Sequence, residues 1–190
     1  MGLGTGSTVA HLLPALAERG LSDLRCIATS PATAARAREL GLPLEAFERL
    51  DRLDIAIDGA DQVDPAGWLI KGGGGAHTRE KIVAAAADRF IVIGDHTKAV
   101  EALCPPVPLE LLSFGLPATL RAVQPTRLRD VPHSPDGGLI ADFQGDVGNP
   151  RALAERFEQV PGVVGHGLFP PALTSDVLIA TGDAVQHRTV

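Results

Sequence analysis

Basic residues are the minority among the charged ones, 17 Lys and Arg against 23 Asp and Glu, for a net charge of −6 at pH 7 with histidine neutral. No run of five or six like charges occurs. Both facts argue against a nucleic-acid binder, which usually carries a basic face. Cysteine is scarce too: Cys26 and Cys104 lie far apart and form no C-x-x-C pair. They supply no disulfide framework, so a reduced intracellular setting is expected. No apolar stretch approaches the ~18 residues that cross a bilayer. The start of the chain lacks a basic segment followed by an apolar one, so no signal peptide is expected. Gly6 stands where a myristoylation motif wants Ser or Thr. The expectation is a cytoplasmic protein with no membrane partner.

Apolar residues make up 45% of the 190, enough for a sizeable core. The pattern alternates strand and helix. A helix is predicted from about Ser7 to Arg19, closed by Gly20, and a strand from about Leu24 to Ala28. Ser30 as N-cap and Pro31 at the first helical position open a second helix, to about Leu40. A short strand near 42–44, then Ile55–Ile57 and Trp68–Ile70, precede a helix at about 76–88 and a strand at Phe90–Ile93. This order implies a parallel sheet covered by helices.

Pro105-Pro106-Val107-Pro108 marks a boundary. Beyond it a strand (107–111), a helix (117–123), two strands bracketing Asp136-Gly137, a helix after Asn149-Pro150 and a strand at 163–168 follow. β-α-β-β-α-β is the ferredoxin-like order. The fold class expected is therefore α/β: a Rossmann-like parallel-sheet domain (1–104 with 177–190) and a smaller ferredoxin-like α+β domain (105–176). The run Val177–Ala180 is expected to return to the first sheet.

Gly2-Leu3-Gly4-Thr5-Gly6-Ser7-Thr8 is a glycine-rich turn running into a helix. It is not a dinucleotide fingerprint, because Val9 occupies the third glycine position, and no lysine follows to make a P-loop. Backbone N–H groups and the hydroxyls of Thr5, Ser7 and Thr8 at a helix N-terminus suit a small anion such as a phosphate monoester. An ordinary tight turn is the alternative. Almost nothing precedes the turn, so the strand that would aim it is expected to be missing.

Asp58-Gly59-Ala60-Asp61 follows a strand, where ligands bind in open parallel sheets. Closing a turn is the alternative role for either aspartate. Lys71 leads into Gly72-Gly73-Gly74-Gly75, also after a strand. Consecutive glycines let a backbone approach a ligand closely and turn N–H donors toward an anion. The chain has 14 arginines but only Lys71, Lys81 and Lys98 as lysines. Lys71 is a candidate for stabilising an oxyanion, and Lys98 for reaching a phosphate. Glu80, early in the next helix, is either a general base or an acid favoured by the helix dipole. His77 and Glu80 form an H-x-x-E without further ligands at metal spacing, so no metal is expected. No Ser/His/Asp or Cys/His set assembles from these motifs, which argues against covalent catalysis.

Taken in order, Gly2–Thr8, Asp58-Gly59-Ala60-Asp61, Lys71–Gly75 and Arg79-Glu80-Lys81 resemble ribose-5-phosphate isomerases of the A type. Phe90–Ile93, Lys98, Pro108-Leu109-Glu110 and Pro161-Gly162-Val163-Val164 continue the resemblance over nearly the whole chain. It implies an aldose–ketose isomerase that links ribose 5-phosphate and ribulose 5-phosphate through an enediol and needs no cofactor. Its partners would be a small sugar phosphate and further copies of the chain, in a homodimer or homotetramer. By the same resemblance, Glu80 moves the proton between C1 and C2. Asp58, Asp61 and Lys71 handle the ring-opening proton and the enediolate charge. Thr5, Gly6, Ser7, Thr8, Gly59, Ala60, Gly72, Gly73, Gly74 and Lys98 contact the substrate. The chain departs from the family pattern in three places: a leading helix and first strand are not found, Gln62 replaces a glutamate, and Ser134–Gly138 replaces an Asn-rich turn. The alternatives are a non-catalytic sugar-phosphate sensor, another enzyme on this scaffold such as a deaminase or acyl-CoA transferase, and an inactive shortened relative. The two aspartates, Lys71 and Glu80 together argue against the sensor, which needs no base.

Overall fold

Short, largely apolar strands pair in parallel. The computed structural model describes residues 1–190. The chain divides into two units of nearly equal length: Met1–Gly59, Arg79–Thr97 and Ala172–Val190 form one, Ala60–Thr78 and Lys98–Pro171 the other.

The first unit is built on β1 (Gly2–Leu3), β2 (Ile27–Ala28) and β3 (Ala56–Gly59). Contrary to the expectation of a missing first strand, Gly2 and Leu3 pair in parallel on both sides, Gly2 with Ile27 and with Ala56. The sequence concealed this strand because two residues carry no periodicity. Gly2 is tolerated there for its size: a Cβ would lie 2.5 Å from Val83 Cγ1. Helix α1 (Ser7–Glu18) buries Val9, Leu13 and Leu16 against Leu3, Cys26, Ala37 and Leu42. Each such buried aliphatic side chain contributes about 1.5–3 kcal/mol. Helix α2 (Pro31–Glu39) starts as expected, with Ser30 Oγ accepting from Thr33 N. The strand expected at 42–44 reduces to a single bridge between Leu44 and Cys26.

Strands β4 (Gln62–Val63) and β5 (Leu69–Ile70) form an antiparallel hairpin in the second unit. Helix α3 (His77–Ala85) ends three residues early, because Asp88 N bonds to Leu53 O and Leu53 N to Ala86 O. Strand β6 (Phe90–Asp95) then pairs with β3 in parallel.

The second unit continues with β7 (Val107–Leu111), α4 (Leu116–Ala122), β8 (Thr126–Leu128), β9 (Leu139–Phe143), α5 (Pro150–Glu158) and β10 (Val163–His166). The antiparallel order β10-β7-β9-β8 is the ferredoxin-like arrangement. Its core gathers Val107, Leu109, Leu111, Phe143 and Phe157. Asn149 caps α5 by accepting from Arg151 N and Ala152 N. The strand expected at 163–168 breaks at Gly167, and β11 (Leu168–Phe169) pairs with β5 instead of β7. Residues 60–78, read from sequence as part of the first domain, pack here because β5 finds its partners in β4 and β11.

Strand β12 (Asp176–Thr181) returns to the first unit as expected and lies parallel to β6. An unforeseen hairpin at Gly182-Asp183 adds β13 (Ala184–Thr189) at the edge. The six-stranded order is β13-β12-β6-β3-β1-β2, parallel except for β13.

Candidate active site

Three of the four ionisable side chains proposed from sequence as catalytic are almost fully buried: Asp58 and Lys71 at 3% exposure, Glu80 at 4%. Burying a charge is costly unless it is matched, and none of the three lacks a partner. The fourth, Asp61, is exposed.

In the first unit the parallel register sets Leu3 level with Ala28 and Ile57, and Gly59 level with Ile93. The segments after β1, β2 and β3 therefore emerge at one sheet edge, where ligands of such sheets bind. Asp58 Oδ1 accepts from Thr5 N at 2.9 Å and from Gly59 N at 2.7 Å. Gly4 allows this approach, since a Cβ there would lie 2.0 Å from the same oxygen. Thr5 Oγ1 lies 2.7 Å from Thr29 Oγ1, and Thr33 Oγ1 donates to Gly4 O at 2.8 Å. The turn is thus held in shape by Thr29, just before α2, and by Thr33 in its first turn. Thr29 and Thr33 were not singled out in the sequence, although Thr33 sits three residues after an N-cap.

Gly6 is the N-cap of α1 with φ 102°, a left-handed value that favours glycine. No side chain caps this helix, and its first turn holds no acidic residue. Gly6 and Ser7 are exposed, Thr5 and Thr8 half-buried. The first N–H groups of a helix have no intrahelical acceptor, and they carry the positive end of its dipole. With three hydroxyl side chains beside them, this end of α1 suits an anion. Gly59 brings Thr8 into the same cluster: its Cβ would stand 3.7 Å from Thr8 Cβ. Glu80 lies in the first turn of α3.

In the second unit the hairpin does the positioning. Gln62 pairs with Ile70, which puts Asp61 and Lys71 opposite one another at its open end. Asp61 N donates to Ile70 O at 2.8 Å, and Gly73 N donates to Asp61 Oδ2 at 2.8 Å. The chain turns back on Gly72 (φ 112°), where a Cβ would meet His77 Nδ1 at 2.7 Å and Pro108 Cβ at 2.8 Å. Lys71 N is tied to Gly167 O at 2.9 Å, and Lys71 Nζ stands 5.5 Å from the ring centroid of buried Phe169. Such cation–ring attraction strengthens when desolvated.

Gly73 and Gly74 are exposed, Gly72 buried, Ala60 and Lys98 half-buried. Lys98 closes a short turn in which Thr97 N donates to Asp95 Oδ1 at 2.8 Å. Gln62 has a reason of its own: its amide donates to Cys104 O and accepts from Cys104 N, both at 2.8 Å. A glutamate could make only the second bond. Sequence reading missed Arg129, whose Nη1 donates to Gly72 O at 2.9 Å and Gly73 O at 3.0 Å while Asp142 holds its other edge. No motif signals a pairing across more than fifty residues. Ser134, in the departing turn, donates to buried Glu110, which ties that turn to β7.

No group of three or more His, Cys, Asp or Glu side chains is placed to hold a metal ion. The first unit offers an uncapped helix N-terminus with hydroxyl side chains, an oriented carboxylate and a buried glutamate, chemistry that suits a small phosphorylated ligand. The second unit, by itself, offers a buried lysine beside a glycine loop.

Comparison with known proteins agrees with that chemistry. Residues 25–184 match the family described as ribose 5-phosphate isomerase A, or phosphoriboisomerase A. The ribose-5-phosphate isomerase A of Caulobacter vibrioides strain NA1000 / CB15N is 45% identical over 200 residues, covering 97% of this chain and 88% of that protein. The solved ribose 5-phosphate isomerase A of Methanocaldococcus jannaschii superposes with a TM-score of 0.92 at 31% identity, covering 100% of this chain and 90% of that one. A D-ribose-5-phosphate isomerase solved in complex with phospho-erythronic acid does so with a TM-score of 0.92 at 33% identity, over 100% and 90%. A match of this length, on a fold and a set of buried groups that suit a sugar phosphate, means that the chain belongs to the ribose 5-phosphate isomerase A family.

Proposed function

We propose that this chain interconverts D-ribose 5-phosphate and D-ribulose 5-phosphate through an enediolate, with Glu80 as the base. Glu80 takes the proton from C2 of the open-chain aldose, which leaves the charge on the oxygen at C1, where an ammonium in a dry setting is effective. Lys71 has that character. The proton of the C2 hydroxyl then passes to the C1 oxygen as Glu80 returns its own proton to C1, which leaves the carbonyl at C2. Asp58 and Asp61 serve the ring-opening proton, and Asp58 is oriented for it by two backbone donors. The N-terminus of α1, with Thr5, Gly6, Ser7 and Thr8, takes the phosphate, assisted by Lys98. Binding energy at this remote group lowers the barrier at the reacting carbons. Gly59, Ala60 and Gly72–Gly74 supply backbone contacts. The reading includes a homodimer or homotetramer in the cytoplasm, and sedimentation of the purified chain tests the assembly.

The observation that carries this reading is the near-complete burial of Glu80 at the start of α3. A helix dipole alone would be served by an exposed acid. The test is turnover of ribose 5-phosphate with Glu80→Gln beside the parent. Removing a general base costs about 10²–10⁴ in rate. The expected result is kcat reduced by at least that much with ribose 5-phosphate binding retained. A variant with the parent's kcat would exclude Glu80 as the base, and a folded but inactive parent would favour a sugar-phosphate sensor.

A further inference from the structure

Arg129 follows β8 and points its guanidinium in two directions. One edge is bidentate on Asp142 of β9, with Nε donating to Oδ2 at 2.7 Å and Nη2 to Oδ1 at 2.6 Å. The remaining nitrogen, Nη1, donates to the carbonyls of Gly72 and Gly73 at 2.9 and 3.0 Å. Both side chains of the pair are mostly withdrawn from water, at 18% exposure each. Lysine cannot make this arrangement, since an ammonium lacks the planar fork.

The two carbonyls belong to successive peptide groups of the loop that follows Lys71. A trans peptide points its C=O and N–H in opposite directions. Holding Gly72 O therefore fixes the direction of Gly73 N–H, which donates to Asp61 Oδ2 at 2.8 Å. Holding Gly73 O fixes Gly74 N–H in the same way, and Gly74 is exposed. A cation on the carbonyl also polarises its peptide and strengthens the N–H on the far side. The chain of contacts runs Asp142, Arg129, one peptide group, Asp61. A glycine run is the backbone with the most freedom to lose, so the loop depends on an outside hold more than other segments would.

We infer that Arg129, held by Asp142, is a positioning residue for the isomerisation: it orients and polarises the Gly72–Gly74 peptides, which set Asp61 and present Gly74 N–H to the oxygen that gains charge. Arg129 itself touches no reacting atom. This rests on the isomerase reading above and extends it to residues outside the motifs.

The test compares Arg129→Met, Arg129→Lys and Asp142→Asn in the full chain. Three readouts are needed: thermal midpoint, kcat and KM for ribose 5-phosphate, and hydrogen exchange at the Gly72–Gly75 amides. For Arg129→Met the expected result is a ten- to hundredfold fall in kcat with KM moving less than threefold and the fold retained. Exchange in the glycine segment is expected to rise at least tenfold. Arg129→Lys should recover only a small part of kcat, and Asp142→Asn should fall between the parent and Arg129→Met. If Arg129→Met does not fold, the other two variants carry the comparison. The parent's kcat in the folded variants, or a loss carried by KM alone, would overturn the proposal. A parent without turnover would overturn the isomerase reading instead, and exchange at the glycine amides would still decide for or against the hold by Arg129.

Discussion

Asp58 occupies the space that a side chain at Gly4 would need: a Cβ there would lie 2.0 Å from Oδ1 and from Cγ. The same oxygen takes the N–H groups of Thr5 and Gly59. The glycine turn and the aspartate are therefore one unit of structure, although fifty-three residues separate Asp58 from Thr5.

Gly4→Ala should displace the Asp58 carboxylate and break both of its backbone bonds. Overpacking of this kind costs about 1–3 kcal/mol. The expected outcome is a lower urea midpoint together with a loss of turnover larger than the lost stability explains. Gly6→Ala makes the contrast, because a Cβ at Gly6 meets nothing within 4 Å and only its φ of 102° resists. Equal effects on stability from both substitutions would show that the contact with Asp58 is not the cause.

Lys71→Ala should act on the chemical step. Losing one donor to a developing oxyanion costs about 3 kcal/mol of barrier, which is 10²–10³ in kcat. Steady-state kinetics separate the roles: a change in KM with kcat intact would make Lys71 a binding group only.

Asp176 contributes to the acid limb of stability. It accepts from Arg89 Nε at 2.7 Å and lies 2.6 Å from His187 Nε2 on β13. Arg89 first, and then His187, hold its carboxyl down to about 2 from the ordinary 3.8. A carboxyl whose folded value is lowered stabilises the fold above its unfolded value, and that contribution is lost as pH falls through the folded one. The window runs from about 4 down to about 2. Urea midpoints measured across it should fall more steeply for the parent than for Asp176→Asn. Parallel curves would mean that the contacts of Asp176 contribute nothing to stability.

The two cysteines should differ in reactivity. Cys26 is fully buried, and burial pushes its thiol up from the ordinary 9.0, so little thiolate forms. Cys104 is exposed. A thiol reagent at neutral pH should label one equivalent quickly at Cys104 and the second only on unfolding. Rapid labelling of Cys26 would show that β2 and its cover of α1 and α2 open readily.

The motifs around Asp58, Lys71 and Glu80 stood out as glycine-rich segments after apolar triplets, but the roles of their side chains did not, since an aspartate there also closes a turn and a glutamate early in a helix also serves its dipole. Helices α1, α2 and α5 were legible from their caps, and the capping oxygens of Ser30 and Asn149 accept from the backbone as those residue types predict. Strand β1 was not, since two residues have no period, and what makes Gly2-Leu3 a strand is the pair of neighbours on either side.

Residue order alone determined the alternation of strands and helices, the ferredoxin-like succession after Pro105, and the chemical types available to a sugar phosphate. Tertiary structure alone decided that the segment from Asp61 to Lys71 belongs with β11, and that Gln62 grips the backbone of Cys104. It also decided that Arg129 and Asp142 reach the glycine loop. The physical reason is range. Capping, turns and periodicity act within a few residues and leave a local mark, whereas a hydrogen bond between Arg129 and Gly72 depends on two strands of another sheet being in register, which no local pattern encodes.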